Sequence, residues 1–462
     1  MGNSVNGLSY KFNPIFQSIE IQTSMAEPLK KSINIFALTM IAVGACIGSG
    51  IFISPSDVAS QLANGTQVLI LWFIGGVVAL TGALSFGELA SRFPGTGGVY
   101  VYLREAYGDL VAFLYGWCIL TVITSGAIAA LCLAFSRYFS RLLQLDDHLQ
   151  IPVALGALFT VTVINIVGVK LSAIFSSSLT VFKVLGIGII VVVCLTYGVH
   201  FTENLSYVSA MPTKVSFGLA LVGVLWSYGG WHHASYVGGE VHNAQKVLPL
   251  AFIAGATIVT LTYLTVNVAY LSVLSMDEIS HSKAVAADAL LSLTATGGMI
   301  VAILIAVSTF GTASIYTLSA PRIYFTMGAD KVFFPWLADL HPVYGTPLKA
   351  IVLQSAWAAV LMLFWGTFES LATYVVFMDW IFMTLAAVAL FVFRNKENHF
   401  SPATYKVSFF PVTPFIFIGI STWFLFSTLI GRPTQAFAGL MLMLTGLPFY
   451  YYFKKKKGVQ DA

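Results

Sequence analysis

Twelve apolar runs, parted by Gly, Pro or charge, divide the chain between residues 33 and 453. They cover 33–64, 67–91, 109–141, 151–168, 172–199, 216–241, 248–275, 296–328, 347–366, 370–394, 409–431 and 434–453. A helix that crosses the hydrocarbon of a bilayer needs about 20 apolar residues. Lipid offers no hydrogen-bond partner, so a long run must satisfy its own backbone as a helix. Barrel strands are about 10 residues long and alternate with period two, which these runs do not. The pattern predicts an all-α polytopic membrane protein with twelve transmembrane helices.

Composition strengthens this reading. Of 462 residues, 58 % are hydrophobic, 14 % aromatic and only 9 % charged, against about 25 % charged in soluble domains. A water-soluble surface cannot be built from so few charges, and disorder needs the opposite composition. Mean hydropathy is +0.85. The four cysteines, Cys46, Cys118, Cys132 and Cys194, lie inside apolar runs and read as small packing residues. They form neither a disulfide framework nor a metal spacing, and no cofactor is expected. Residues 1–32 are polar and mixed and many runs come after the first, so no cleavable signal is expected. Lys454 to Lys457 form a basic anchor after the last run.

The distribution of Lys and Arg sets the orientation. With the N-terminus in the cytoplasm, seventeen of the 23 fall on the cytoplasmic side: Lys11, Lys30, Lys31, Arg92, Arg104, Lys170, Lys246, Arg322, Lys331, Lys349, Arg394, Lys396, Lys406 and Lys454 to Lys457. Five fall outside, at Arg137, Arg141, Lys214, Lys283 and Arg432, and Lys183 alone lies within a run. Both termini are therefore expected in the cytoplasm. The net charge of +4 follows the membrane rule and points to no nucleic acid.

Two runs are interrupted. The first carries Gly44, Gly48, Ser49 and Gly50 mid-span, and the sixth carries Gly229 and Gly230 within the stretch Trp226 to His233. Glycine is costly in a helix interior, and matched interruptions in two halves point to a transporter site built from half-helices. Unwinding at Gly48–Gly50 exposes N–H groups at the start of a half-helix, which suits a carboxylate. Unwinding at Ser227–Gly230 exposes carbonyls at a helix end, which suits an ammonium. Together they would receive an α-amino acid.

The stretch Gly44 to Phe52 resembles the first-helix signature of the amino acid–polyamine–organocation (APC) superfamily. More narrowly, Tyr228 to Trp231 resembles the sixth-helix motif of the L-type amino acid transporters, the light chains of heteromeric transporters, and their bacterial relatives. Phe86-Gly-Glu88-Leu, Pro94 to Tyr100, Gly238 to Asn243, Leu248-Pro249, Ser319 to Arg322 and Gly446 to Phe449 match in order, from about residue 32 to 457. The resemblance implies a LeuT-type fold, with inverted repeats over 33–199 and 216–394 and two extra helices over 409–453. Residues 1–32 and 454–462 would be cytoplasmic tails. It further implies alternating access and amino-acid transport, often by exchange, in the cell membrane. By motif match, Gly48, Ser49 and Gly50 would bind the substrate carboxylate. The Cys46 carbonyl, Trp226, Ser227 and Gly229 would receive the amino group, and Trp231 and His232 would sit near the side-chain pocket or gate. Animal light chains carry a Cys in the loop after the third span that joins a heavy chain. Here 142–151 has none, so no disulfide-linked heavy chain is expected.

Charges inside a membrane are functional hypotheses by default. The family carries a lysine at the position of Lys183. In sodium-coupled relatives of the fold the neighbouring space holds sodium, which an ammonium can replace, bridging the first and fifth helices. Asp379 is read either as a structurally paired carboxylate or as a pocket carboxylate for a cationic substrate or a proton. His232 and His233 are adjacent and point to different faces, which excludes a convergent metal pair. Glu88, Glu240 and Arg322, near cytoplasmic helix ends, are gate ion pairs or interfacial charges. No nucleophile–base motif suggests an enzyme and no repeated filter suggests a channel. Neutral amino acids are the expected substrates, with proton-coupled symport, cationic amino acids or polyamines as alternatives.

Overall fold

The computed structural model of the chain describes residues 29–206, 216–365, 368–396 and 402–460. Most of the polar N-terminal tail, with Lys11, therefore lies outside the described residues, as do Lys214 and the last two residues. Among the described residues the regular elements are helices, with one isolated bridge between Ile33 and Val241.

In chain order the principal helices are α1 (Ile35–Cys46), α2 (Gly50–Ala59), α3 (Gly65–Arg92), the short α4 (Val99–Tyr107), α5 (Asp109–Leu142), α6 (Gln150–Val167), α7 (Val169–Tyr197), α8 (Phe217–Tyr228), α9 (Ala244–Val273), α10 (Gly297–Ser319), α11 (Pro321–Ala329), α12 (Leu348–Trp365), α13 (Phe368–Asn395), α14 (Val412–Gly431), α15 (Pro433–Leu444) and α16 (Gly446–Gln460). Side chains mark several starts: Asn34 accepts from Ala37 N–H, Asn64 from Gln67 N–H and Ser216 from Leu219 N–H, each satisfying a backbone donor that a helix start leaves open. Ten spans, some built from two of these helices, are long and apolar enough to cross a membrane, and α12 is a shorter apolar helix. The chain is thus an all-helical, multi-pass membrane protein.

Burial sorts these spans into an inner and an outer set. The α5 span is 83 % buried and α1–α2 78 %, whereas α7 and α14 are each 28 % buried. The inner set carries the interruptions and the outer set faces lipid. Helix α3 packs along α9, and α10 packs along α5. Close approach is made by small residues: a Cβ on Gly76 would lie 2.4 Å from Thr260.

The sixth run departs from expectation. Helix α8 ends at Tyr228, and past the break the chain runs through 3-10 turns at Trp231–Ser235 and Gly238–Glu240, not a second α-helix. Gly230 takes φ +118°, which reverses the chain and which only glycine adopts freely. Nor does the pattern foretell a π turn over Ile119–Ile123 inside α5, or the division of the eighth run at Pro321. The latter proline opens α11, where its missing N–H costs nothing.

Candidate functional site

The first break spans Ile47 to Ser49, between α1 and α2. Gly48 N–H turns back to the Cys46 carbonyl at 2.9 Å, and Phe52 N–H reaches the Ser49 carbonyl at 3.2 Å. The N–H groups of Ser49, Gly50 and Ile51 have no acceptor among the described residues. Ser49 Oγ is buried and likewise without a partner there. One turn further, Pro55 cannot donate to the Ile51 carbonyl. Tyr270 Oη donates to it instead, at 3.4 Å.

The second break abuts the first. A Cβ on Gly230 would lie 2.5 Å from the Ala45 carbonyl oxygen and 3.0 Å from Cys46 N, and one on Gly50 would lie 2.5 Å from Ser227 Oγ. The open N–H end of α2 therefore faces the carbonyl end of α8 at backbone distance. Tyr263 of α9 ties the two together, its hydroxyl lying 3.0 Å from the Cys46 carbonyl oxygen and 2.9 Å from that of Ser227. The Tyr228 carbonyl receives the Cys46 thiol at 3.7 Å. The Cys46 carbonyl receives Gly48 N–H and shares the single Tyr263 hydroxyl proton with the Ser227 carbonyl.

Another side of the first break is held by α7 and α10. Lys183 is fully buried and donates to the Gly44 carbonyl at 2.8 Å, to Thr312 Oγ1 at 2.9 Å and to the Ile47 carbonyl. Thr312 Oγ1 also bonds the Gly44 and Ile47 carbonyls, and Ser308 Oγ bonds those of Ile47 and Gly48. The carbonyls freed by the break thus meet an ammonium and two hydroxyls. Tyr263, Ser308 and Thr312 were not singled out from the sequence. The available signal was a hydroxyl held mid-span, which must find an acceptor within the protein.

The two histidines diverge. His233 Nδ1 lies 2.7 Å from Ser319 Oγ and its ring stacks on Tyr316 at 4.0 Å. His232 Nε2 lies 3.7 Å from Asp379 Oδ2. At that distance the two are neighbours rather than hydrogen-bonded, and His232 Nε2 and Asp379 Oδ1 are buried without partners among the described residues. Trp231 packs edge-on against Phe86 at 5.1 Å and against Phe252, so its ring anchors the second break to α3 and α9. Trp226 is half-buried on α8. Thr124 and Ser125, directly after the π turn, add two more buried hydroxyls with no partner among the described residues.

Three ionic clusters lie at the helix ends beyond the breaks. Glu88 receives Arg394 through two contacts of 2.7 and 2.6 Å, Val407 N–H at 2.8 Å and Arg92 at 3.3 Å. Glu240 pairs with Arg322 at 2.9 Å, both fully buried. Asp330 takes Arg104 and, at 2.9 Å, the Tyr100 hydroxyl. Burial, then this carboxylate, push the Tyr100 hydroxyl well above its ordinary range, so it stays protonated and donates. Among the described residues no group of His, Cys, Asp and Glu is arranged to hold a metal.

Two abutting helix breaks in a multi-pass chain accord with the family the motifs suggested, and sequence comparison decides the matter. The profile of the amino acid permease family matches residues 33–450. The chain belongs to the amino acid permease family. The permease is 34 % identical to the serine/threonine exchanger SteT of Bacillus subtilis, over 93 % of this chain and 98 % of that one. It is 31 % identical to the human b(0,+)-type amino acid transporter 1, over 95 % and 91 %, and 30 % identical to the human cystine/glutamate transporter, over 92 % and 85 %. The resemblance to APC-superfamily transporters is borne out, and the permease is a transporter, not an enzyme.

Proposed function

We propose that this permease exchanges L-amino acids across the cell membrane by alternating access, without sodium, and prefers neutral side chains. The observation that carries the reading is the backbone contact of the two breaks. Open N–H groups at Ser49, Gly50 and Ile51 face the carbonyl end of α8, so a carboxylate and an ammonium one carbon apart can be held without a charged side chain. Gly48 and Ser49 lead the chain into that anion site, and Ser227, Gly229 and Trp226 flank the cation end. The comparison with a serine/threonine exchanger favours exchange and a small neutral substrate.

Lys183 supports the sodium-independent form, since its ammonium occupies the carbonyls that a cation would otherwise use. Asp379 lies 3.7 Å from His232, too far for a hydrogen bond, so the neutral preference rests on the likeness to the serine/threonine exchanger and not on this carboxylate. We place both termini in the cytoplasm and read 33–199 and 216–394 as inverted repeats of five spans each, with α14 to α16 outside them. The loop 142–151 offers no cysteine, which favours a chain active without a heavy-chain partner.

Purified single chain in proteoliposomes preloaded with unlabelled amino acid tests the reading. Uptake should be trans-stimulated, indifferent to a pH gradient and to sodium, and blocked by amino acids but not by their amides or by putrescine. A second reading, proton-coupled symport, is favoured by the buried His232–Asp379 pair and predicts the reverse response to pH. Equal competition by putrescine would refute the carboxylate receptor.

A further inference from the structure

On the flank of the molecule, away from the breaks, a cleft of about 470 Å³ lies between the segment before α1, the start of α7 and the turn at Tyr344–Gly345. Lys30 and Lys170 line it, with Ser32, Leu171, Ile174 and Tyr344. Among the described residues neither lysine is ion-paired, and the nearby loop's carboxylates are engaged: Asp339 with Lys349 and Asp330 with Arg104. The cleft is thus a cationic one with no internal counter-charge.

Its surroundings are those of a membrane interface. Below Lys170 the exposed face of α7 continues as Leu171, Ile174, Phe182, Leu185, Ile189 and Val192, each between half and two-thirds exposed. Their successive steps of three, eight, three, four and three residues keep them on one helical stripe, in a span only 28 % buried. Next to Lys30, Ile35 and Phe36 open α1 with their side chains likewise exposed. A ligand that fits must carry negative charge at the cleft and hydrocarbon along the stripe. Basic pockets between helices at the cytoplasmic face take lipid head groups in this way.

We infer that this cleft binds the phosphate of an anionic phospholipid, with an acyl chain along α7, and that its occupancy raises the transport rate. The effect on rate arises from the segments that the cleft joins. Ser32 and Ile33 N–H donate to the Glu240 carbonyl at 2.9 and 3.0 Å, so the segment after Lys30 is fixed to the end of the second break. Helix α7, which begins beside Lys170, carries Lys183 against the first break. A phosphate between Lys30 and Lys170 ties together the approaches to both breaks and holds α1 and α7 in register as the breaks exchange partners.

The whole chain is purified, and lipid adducts are counted by native mass spectrometry with phosphatidylglycerol, phosphatidylcholine or glycerol 3-phosphate added. Exchange is measured in vesicles of phosphatidylcholine with and without phosphatidylglycerol. Wild type should retain phosphatidylglycerol selectively and exchange several-fold faster in its presence. The double variant Lys30→Gln/Lys170→Gln should bind it roughly 30-fold more weakly, at about 1 kcal/mol per lysine. It should also lose the stimulation while matching wild type in phosphatidylcholine alone. Both lysines are exposed, so folding is not at stake. The same charge change placed on the tail, Lys455→Gln/Lys456→Gln, should leave binding and stimulation intact. Equal stimulation of wild type and the cleft variant overturns the inference. So does equal loss in the tail variant, which would make the effect one of general surface charge. Binding of glycerol 3-phosphate as tight as that of the lipid would make the ligand a soluble phosphate and overturn the lipid assignment. None of these outcomes bears on whether the substrate is an amino acid.

Discussion

In the sodium-independent exchange proposed above, a single side chain, Lys183, would stand where a bound cation otherwise sits. Its ammonium is buried with the Gly44 and Ile47 carbonyls and Thr312 Oγ1. A buried charge is kept only where hydrogen bonds compensate it. Thr312 and Ser308 still bond the same carbonyls when the lysine is gone, so Lys183→Ala should insert and fold. The local cost should be about 1–3 kcal/mol from unsatisfied groups. Exchange, which needs the break held in register, should fall by about tenfold or more. Uptake with sodium replaced by choline should be unchanged in wild type, and sodium-stimulated wild-type uptake would sink the assignment. Asp379 gives a separate residue-scale test. With His232 3.7 Å away, Asp379→Asn keeps the volume and removes the charge. Neutral exchange should stay within about threefold of wild type, roughly 0.6 kcal/mol. Selective loss of lysine or arginine uptake would show instead that the carboxylate reads a cationic side chain.

At the scale of elements, the breaks were legible because glycine weakens a helix and is seldom kept in mid-membrane without a use. Gly48 to Gly50 and Gly229–Gly230 do stand at the interruptions. The course of the chain past Gly230 was not legible, since the apolar run continues through Trp231 to Val237 as if helical, whereas the backbone takes 3-10 turns. Those turns are held by long-range contacts that local pattern does not encode, such as Trp231 on Phe86 and His233 on Ser319. The clamp of Tyr263, Ser308 and Thr312 was hidden for the same reason: its partners in the breaks lie 36 to 268 residues away. Gly230 concentrates the element-scale constraint. Its φ of +118° strains any L side chain, and a Cβ there would meet the Ala45 carbonyl at 2.5 Å. Gly230→Ala should therefore abolish exchange and lower the melting temperature in detergent. Gly229→Ala, at an extended φ of −69° with its closest contact at 3.2 Å, should be milder. Equal tolerance of both would mean that the two breaks separate in the working protein.

For the whole molecule, alternating access requires that one end of the bundle open while the other closes, and buried ion pairs at the helix ends are the strongest candidates for that latch. Glu240 and Arg322 are both fully buried, 2.9 Å apart. They lie at the end of the second break and the start of α11, and the Glu240 carbonyl also fixes Ser32 and Ile33 before α1. Opening at this end would have to separate these three elements. Removing one member of a buried pair leaves the other charge uncompensated, at a cost of about 3–5 kcal/mol, whereas removing both can be close to neutral. Glu240→Gln and Arg322→Gln singly should thus lower thermal stability sharply and reduce exchange. The double variant should regain most of the stability, because no buried charge is stranded. If the pair is a latch, exchange should not recover with stability, since the force that closes this end has gone. Thermal melts and exchange rates on the same four proteins separate the two roles. Recovery of both in the double variant would leave the pair as an internal brace with no part in the transport cycle.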